Sequence, residues 1–303
     1  MPFLNRSIFL LLKILRILNR SFSLYIPFLV PSQPMQYDPI KRSLGNVFNK
    51  SPFLRKTFYQ LLDLLLLRAW HVHKELKTWI KQAPRSASIL DAGAGYGQHS
   101  LWLNRRLPDA TILAVDVKEE QVADCNTFFQ QIGAGEKVKF VVDDLTTYVD
   151  ANRYDLAISV DVMEHILEDV QVFKNINASL KPGGMLLIST PSDQGGSDVH
   201  GDEESSFIEE HVRDGYNIKE IEDKLRSAGF TKVEARYQYG TPGKISWRLS
   251  MKYPILMLGV TKLFFVILPF YYLITYPFAY LLNWMDVMMK HPTGTGLIVK
   301  AWK

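Results

Sequence analysis

The chain has 303 residues, of which 47% are hydrophobic and 22% are charged, and its formal net charge is +4. This balance excludes both a disordered chain and a polytopic membrane protein, and the small excess of positive charge predicts no nucleic-acid partner. The single cysteine, Cys125, excludes an intramolecular disulfide and is typical of a reducing compartment.

The first predicted element is a basic, leucine-rich helix within residues 1–30. Its cations fall on one side of the helix, away from the leucines and isoleucines; they are Arg6, Lys13, Arg16 and Arg20. Two of them interrupt the apolar run and no small-residue cleavage site follows, so a signal peptide does not fit. The pattern suits a helix that lies on an anionic bilayer surface. The alternative is a solvated basic edge on a helix packed against the domain.

A second apolar helix is predicted from Pro52 to Lys81, and its polar positions drift around the helix as in a partly buried packing element. His71 and His73 are two residues apart and do not share a helix face, so we interpret them as structural rather than as metal ligands. Residues 1–84 are therefore predicted to form an N-terminal helical extension.

A glycine-rich turn follows, within "SASILDAGAGYGQHSLWLNRR" (residues 86–106), between an apolar strand and an amphipathic helix. Glycines 93, 95 and 97 allow a tight turn and a close approach to a ligand, and the next helix would aim its free N–H groups at that ligand. The strand "ATILAVDV" then ends in Asp116, which is placed to accept hydrogen bonds from ribose hydroxyls. These features predict a nucleotide-type site.

The spacing argues against a dinucleotide oxidoreductase. That fingerprint needs Gly or Ala three residues after the second glycine, where this chain has Gln98, and an acid, Asp91, precedes the turn. Three further elements follow in order: "KVKFVVDDLTTY", a third strand; "YDLAISVDVMEHI", a fourth strand running into a helix; and "LKPGGMLLISTP", a helix end, a turn and a fifth strand.

With these five motifs the chain resembles the class I S-adenosylmethionine-dependent methyltransferases. The resemblance covers roughly residues 86–240 and the last ten residues. It implies an α/β fold with a doubly wound, Rossmann-like sheet of seven strands, parallel except for a reversed last strand. The catalytic domain would comprise residues 85–240 and 294–303.

The resemblance also implies the cofactor, S-adenosyl-L-methionine, and the residues that bind it. The methionine portion would be held by Asp91, Gly93, Gly95 and Gly97. Asp116 would bind the ribose, and Val117 would lie against adenine. The adenine amino group would be received by Asp144, with Asp143 and Leu145 beside it. The chain near Ser159–Asp161 would close over the sulfonium.

Methyl transfer from a sulfonium needs an aligned acceptor and, for a hydroxyl, a base. His165 is the strongest candidate, since imidazole titrates near neutrality and this residue follows the fourth strand. Asp161, Glu164 and His165 are also similar to the metal-binding pattern of some relatives, so a divalent metal is an alternative, and a bracing role for Glu-His is another. A polar loop after the fifth strand adds His211 and Arg213, which either contact substrate or pin the loop.

Residues 241–293 form an insertion between the predicted sixth strand (232–240) and the seventh (294–303). Its apolar block, 254–282, has 29 residues, whereas two membrane crossings need roughly 40. Because the flanking strands are neighbours, we expect a helical hairpin that turns near "LPF" and enters or lies along one leaflet. Cations and tryptophans flank the block, as at lipid head groups: Lys244, Arg248, Lys252, Lys290, Trp247 and Trp284. The alternative is a lid over an oily substrate.

Together these features predict methylation of a lipophilic small molecule or lipid, with oxygen favoured as the acceptor atom. The enzyme would sit at the cytoplasmic face of a membrane through residues 1–30 and 254–282, because the sulfonium donor is cytosolic. Two alternatives remain open: a non-catalytic, membrane-associated S-adenosylmethionine-binding protein, and a soluble methyltransferase with a hydrophobic lid.

Overall fold

The computed structural model describes residues 51–195, 212–261 and 264–303. The predicted N-terminal helix (1–30) and His211 lie outside these ranges. The chain divides into two compact units. Among the described residues, the sheet unit comprises Arg68–Gly240 and Lys290–Lys303, and the hairpin unit comprises Thr241–Met289 with residues 51–67. The predicted extension, 1–84, is therefore divided, because its residues from Arg68 onward belong to the sheet unit.

The sheet unit is built on seven strands. They are β1 (Ser88–Ala92), β2 (Thr111–Asp116), β3 (Val138–Val142), β4 (Tyr154–Val160), β5 (Leu180–Pro191), β6 (Lys232–Gln238) and β7 (Gly296–Trp302). Their order is β3-β2-β1-β4-β5-β7-β6, and β7 alone runs antiparallel to its neighbours. The predicted doubly wound sheet with a reversed last strand is confirmed.

The described helices lie between and beyond these strands. They are α1 (Pro52–Leu65), α2 (Leu67–Ile80), α3 (Gln98–Asn104), α4 (Glu119–Gln131), α5 (Asp169–Ser179), α6 (Ile218–Ser227), α7 (Thr241–Trp247), α8 (Tyr253–Val260) and α9 (Phe264–Met288). The central strands are continuous apolar runs because helices cover both faces of a parallel sheet. Leu90, Ala157 and Leu186, from three adjacent strands, are fully buried in the main core cluster.

The predicted single helix from Pro52 to Lys81 is wrong in one respect, because the chain breaks between α1 and α2. Leu66 has extended backbone angles (φ −86°, ψ 110°). The N–H of Arg68, in the first turn of α2, donates to the Tyr239 hydroxyl at 2.9 Å. A leucine-rich segment has no local breaker, so this break depends on a distant side-chain partner that takes up one of the free N–H groups at the start of a helix.

Helix α2 is fixed to β6 and β7 by a partly buried ion-pair network. The carboxylate of Glu75 accepts from Arg236 at 3.0 Å and pairs with Lys300 at 3.2 Å. Burial alone would raise the pKa of Glu75, but the hydrogen bond from Arg236 and the charge of Lys300 outweigh it and lower the pKa. Arg236 also lies 3.2 Å from Nδ1 of His71, and His73 stacks on Trp102 with ring centroids 4.2 Å apart. Both histidines thus have the structural roles predicted for them.

The hairpin unit contains two antiparallel limbs. The first comprises α7, a π-helical turn (Arg248–Lys252) and α8, and the second is α9. Near the base the N–H of Gly243 donates to Asp286 at 2.9 Å, and further along the Ser246 hydroxyl donates to the Ala279 carbonyl at 2.9 Å. The predicted helical hairpin is present.

The predicted turn at "LPF" is misplaced, however. Helix α8 ends at Val260, and its C-cap residue Thr261 is extended (φ −161°, ψ 141°), whereas α9 continues through Pro269 and Pro277. A proline inside a helix removes one hydrogen bond but does not force the chain to reverse.

The π-helical turn is stabilised by tyrosines of the opposite limb. The hydroxyls of Tyr271 and Tyr272 donate to the carbonyls of Leu249 and Ser250 at 2.7 and 2.8 Å. A π turn disrupts the regular α-helical hydrogen-bond pattern, and these hydroxyls give two of its carbonyls a partner. A further tyrosine, Tyr276, donates to the carbonyl of Leu64 in α1 at 2.8 Å.

Candidate active site

The predicted site residues that the structure describes lie at one edge of the sheet, where the parallel strands β1 to β4 end. In doubly wound folds ligands bind outside this carboxyl edge. The register pairs Ala92 of β1 with Val115 of β2, and Asp116 of β2 with Val142 of β3. The strand-end acids are therefore brought together by adjacent strands.

Asp91 is a buried carboxyl at the end of β1. Its Oδ2 accepts from the Ser100 hydroxyl of α3 at 2.6 Å. Burial raises its pKa to about 7, with a further increase from the charge of Asp116, although the bond from Ser100 acts in the opposite direction. A cationic ligand group would favour the ionised form, as expected for a residue that holds the methionine portion of the cofactor.

The glycine turn needs glycine for two separate reasons. Gly93, Gly95 and Gly97 all have positive φ, of 78°, 51° and 77°. A Cβ on Gly93 would lie 2.3 Å from Val162, and one on Gly97 would lie 2.7 Å from Phe140. A Cβ on Gly95 would meet nothing within 4 Å, so this glycine leaves open space beside the backbone.

Asp116 connects the end of β2 to the glycine turn. Its Oδ2 accepts from the N–H of Gly95 at 2.8 Å, and its Oδ1 accepts from the N–H of Lys118 at 3.0 Å. Each carboxylate oxygen has a second lone pair for a ligand hydroxyl. The adjacent Val117 is 60% exposed, which leaves an apolar surface at this edge for a flat ring.

The acids after β3 take part in a local turn. Asp143 accepts from the N–H of Asp144 at 2.8 Å, and Oδ1 of Asp144 accepts from both the N–H and the hydroxyl of Thr146 at 2.8 Å. These bonds fix the Asp144 carboxylate while leaving its Oδ2 available. The side chain of Leu145 belongs to the buried core, so only its backbone can reach a ligand.

Ser159 is a buried polar side chain in β4 that a ligand at this edge could complete. It is 1% exposed in β4, yet its hydroxyl has no hydrogen-bond partner. An unpaired buried hydroxyl is costly, and such atoms in folded proteins need a partner that completes them. The unpaired Ser159 hydroxyl and the open space beside Gly95 fit a cofactor that carries polar groups and approaches the backbone closely.

Asp161 follows β4 with φ +53° and forms an ion pair with Arg68 of α2. Asp161 is among the residues predicted from the sequence, whereas Arg68 is not. The two residues are 93 positions apart and no local pattern links them.

Glu164 and His165 lie in a short 3₁₀ turn (Met163–His165), in place of the helix predicted directly after β4. Glu164 is buried, and Thr190 donates to its Oε2 at 3.1 Å. Burial raises the pKa of Glu164 to about 7, although that hydrogen bond and the charges of Arg68 and Arg213 oppose the shift.

His165 remains partly exposed at the edge, as a base would need to be. In the described part of the chain no three His, Cys, Asp or Glu side chains are grouped for a metal ion. Asp161 is engaged by Arg68 and Glu164 by Thr190, so these contacts give no support to the alternative in which Asp161, Glu164 and His165 bind a metal.

Arg213 pins the chain after the polar loop to this turn. Its guanidinium pairs with Asp169 and donates to the carbonyl of Ile166 at 2.7 Å. Asp169 also accepts from the Tyr216 hydroxyl at 2.7 Å and pairs with Lys224 at 2.8 Å. Of the two roles predicted for Arg213, these contacts show the structural one. Asp169 was not singled out from the sequence, because an acid at the start of a helix has an ordinary capping explanation.

The fold and the strand-edge site define a cofactor-binding α/β domain. Residues 89–184 match a protein family described as a methyltransferase domain. Residues 89–184 thus form a methyltransferase domain. Structures that share its fold were solved with S-adenosylhomocysteine or S-adenosyl-L-methionine bound.

Among curated proteins, the chain is similar to malonyl-[acyl-carrier protein] O-methyltransferase 2 of Ilyobacter polytropus. The identity is 28% over 120 residues, which are 40% of this chain and 45% of the relative. The chain thus spans less than half of that relative's length.

Two solved structures share the fold. Phosphoethanolamine N-methyltransferase 2 of Haemonchus contortus, in complex with phosphomonomethylethanolamine and S-adenosylhomocysteine, has a TM-score of 0.52 at 20% identity and covers 76% of this chain and 52% of that one. The [4+2]-cyclase SpnF has a TM-score of 0.50 at 19% identity and covers 76% and 80%. Because one of these two is named as a cyclase, the fold by itself does not specify the reaction.

Proposed function

We propose that this protein transfers a methyl group from S-adenosylmethionine to an oxygen of a lipophilic small molecule or lipid, and that it does so at the cytoplasmic face of a membrane. The observation that carries the membrane part is the outer face of α9. This face consists of large apolar side chains at helical spacing: Val266, Ile267, Phe270, Leu273, Ile274, Phe278, Leu281, Trp284 and Met288 are 46–68% exposed.

The polar groups of α9 lie on the opposite face. Tyr271, Tyr272 and Tyr276 donate to backbone carbonyls of other helices in the hairpin unit, and Asp286 accepts from Gly243. A helix of a water-soluble protein has the reverse arrangement, with its apolar side chains inward. Apolar residues outside and hydrogen-bonded polar groups inside are what a bilayer requires. The exception on the inner face is Asn283, whose buried amide has no hydrogen-bond partner.

The length and composition of α9 also support a bilayer environment for this helix. Within the described residues, Val266–Met288 is long and apolar enough to cross a membrane. Only 28% of its apolar 18-residue stretch is buried. A core helix would be mostly buried. Because β6 and β7 are neighbours in the sheet, the insertion must return to the side it left, so we propose a monotopic hairpin rather than a crossing. The basic helix of residues 1–30 is proposed as a second, electrostatic anchor.

The residues at the strand edge support the chemistry. Asp91, Gly95 and Asp116 would bind the cofactor, which supplies an activated methyl group. His165 would remove the proton from an acceptor hydroxyl as the methyl is transferred. Burial of the acceptor's apolar part would align it with the donor, and alignment supplies most of the catalysis in such a displacement.

The test combines membrane binding with turnover. The full-length protein is mixed with phosphatidylglycerol–phosphatidylethanolamine vesicles and floated, before and after a high-salt wash. We expect it to stay with the vesicles, because apolar burial contributes about 25 cal/mol per Å² and salt does not weaken it. A variant with Phe270, Ile274 and Phe278 changed to Glu should be released by the wash.

Val149→Glu provides a control for the type of change, since it places one glutamate at an exposed apolar side chain (49%) of the sheet unit. Both variants should still bind S-adenosylhomocysteine. Turnover is measured as S-adenosylhomocysteine formed on addition of a total lipid extract. A wild-type protein that stays soluble without detergent, monodisperse and active, would overturn the membrane part. Cofactor binding with no product formed would instead establish a non-catalytic binding protein.

A further inference from the structure

Arg68 is surrounded by an unusual concentration of strained backbone. In the described residues, three non-glycine positions have positive φ: Asn152, Asp161 and Tyr239. Two of these three contact Arg68. Asp161 pairs with its guanidinium, and the Tyr239 hydroxyl accepts from its N–H at 2.9 Å. Residues held in sparsely populated conformations cluster at functional sites, where the surrounding structure holds them in place.

The position of Arg68 is fixed independently of the glycine turn. The ion pairs of Glu75 with Arg236 and Lys300 hold α2 on β6 and β7, and they place its first turn near the ends of β4 and β6. Both Arg68 and Tyr239 lie outside residues 89–184, the part that matches the methyltransferase family. Arg68 therefore comes from the part of the chain that precedes the segment matching the methyltransferase family.

The Arg68–Asp161 pair is neither buried nor freely solvated. The two side chains are 29% and 28% exposed. An ion pair of such exposure contributes little to folding and can exchange its partner, whereas breaking a fully buried pair leaves a costly bare charge. Nearby, burial lowers the pKa of His99 to about 4, and the charge of Arg68 adds to that effect. His99 is thus neutral and does not compete with Arg68 as a second cation.

We propose that Arg68 binds an anionic head group of the methyl acceptor, a carboxylate or a phosphate, and that Asp161 is the counter-ion this group replaces. The planar guanidinium presents a fork of donors that matches both anions. The inference rests on the proposed function and narrows the acceptor to an acidic amphiphile. Arg68 is then a specificity-determining residue. Binding of the head group would also release Asp161 from its ion pair, beside the end of β4 where the methyl transfer would occur.

The test measures head-group preference without turnover. Full-length protein saturated with S-adenosylhomocysteine is titrated with dodecanoate, dodecyl phosphate and dodecanol, which share one chain and differ in the head group. We expect at least one anionic probe to bind about ten-fold or more tightly than dodecanol in the wild type. The comparison of dodecanoate with dodecyl phosphate shows whether the head group that Arg68 binds is a carboxylate or a phosphate.

Two variants at the pair should act in opposite directions. Arg68→Gln should abolish the preference, while Asp161→Asn should increase it, because the counter-ion is removed and Asn tolerates the same positive φ. Arg226→Gln is the control, since it removes an exposed cation on α6 and should change nothing. If the pair only stabilised the fold, both substitutions would weaken the binding of all three probes equally. Equal binding of the probes by the wild type, or a preference that survives Arg68→Gln, would overturn the inference.

Turnover on fractionated lipids separates this inference from the proposed function. With methyl-labelled S-adenosylmethionine, label should enter the acidic lipid fraction. Label confined to the neutral fraction would leave methyl transfer intact and refute the role of Arg68. No label in any fraction, with the Arg68-dependent preference retained, would refute methyl transfer and support the anion site.

Discussion

Ser100 donates a hydrogen bond of 2.6 Å from its hydroxyl to the carboxylate of Asp91, a group whose pKa is raised to about 7 by burial. Binding of a cationic cofactor favours ionised Asp91, so affinity for S-adenosylmethionine should fall as the pH drops below about 7, by up to about ten-fold per pH unit. Ser100→Ala removes a bond that lowers this pKa and should move the profile to higher pH. Calorimetry across the pH range checks this, and Asp91→Asn should give weak, nearly pH-independent binding. An unshifted profile in Ser100→Ala would contradict the assignment.

Gly95→Ala should separate cofactor binding from folding. Its Cβ would meet no protein atom, so the fold loses only about 1–2 kcal/mol from the positive φ. Gly133→Ala is the matched control, because Gly133 also has positive φ (73°) and open space around it, but lies after α4. We expect similar melting temperatures for the two variants and loss of S-adenosylhomocysteine binding in Gly95→Ala alone. Gly93→Ala, which clashes with Val162, should unfold more readily than either.

Asp116→Ala should weaken S-adenosylmethionine binding by about 1.5–3 kcal/mol, the range for losing a charged hydrogen-bond partner. Asp116→Asn should lose less, because one acceptor oxygen remains for Gly95 or the ribose. Titration calorimetry of the two variants beside Asp109→Ala, a change at an exposed carboxylate, gives the comparison. Unchanged affinity in folded Asp116→Ala would exclude this residue from the site.

His165→Ala should lower turnover by about 100-fold and leave cofactor affinity nearly unchanged, as for loss of a general base. The measurement is S-adenosylhomocysteine release with saturating lipid extract. If chelator abolished wild-type activity, a metal role would replace the base role. An unaffected rate would leave His165 as a bracing residue.

Acidification should destabilise the fold through the two histidines beside Trp102. Burial lowers the pKa of His73 to about 2, with contributions from His99 and Arg106, and burial lowers the pKa of His99 to about 4. Both stay neutral in the folded state while the unfolded chain takes up protons below about pH 6.5. Their contribution to stability is therefore present above that pH and lost as the pH falls, by up to about 1.4 kcal/mol per pH unit for each. His73→Phe keeps the stacking on Trp102 and should make the fall in melting temperature between about pH 6.5 and about pH 4.5 roughly half as steep, because His99 still contributes. An equally steep loss in that variant would assign the effect to other groups.

The parts of the fold predicted correctly from the sequence are those fixed by short-range patterns. Strands β1 to β5 are local apolar runs, and the glycine turn needs positive φ at Gly93, Gly95 and Gly97, so both were visible in the residues themselves. The break at Leu66 was not visible, because leucine favours continuation of a helix and the decisive partner, Tyr239, is far away in sequence. The hairpin turn was placed at Pro269 for the opposite reason: proline suggested a local end, but the tertiary contacts of α9 carry the helix through it.

The same limit applies to the site. Acids at strand ends were predicted because parallel strands bring their carboxyl ends together. The sequence pattern does not specify which helix lies over which strand. The Arg68–Asp161 pair and the contacts of Asp169 with Arg213, Tyr216 and Lys224 depend on that arrangement.

The hairpin is inserted at a joint whose two ends are already neighbours. Gln238 pairs with Gly296 in the register of β6 and β7, and the N–H of Thr295 donates to the carbonyl of Tyr239 at 3.4 Å. Gly294 keeps this joint closed, because a Cβ there would lie 2.2 Å from the Gln238 carbonyl oxygen. A segment whose entry and exit are held together in this way can be gained, lost or exchanged in a single genetic event without altering the sheet. If the hairpin is the membrane anchor proposed above, replacing Thr241–Met289 would change where the domain binds and leave the sheet intact. The same segment placed between the corresponding strands of another domain should then carry its membrane binding with it.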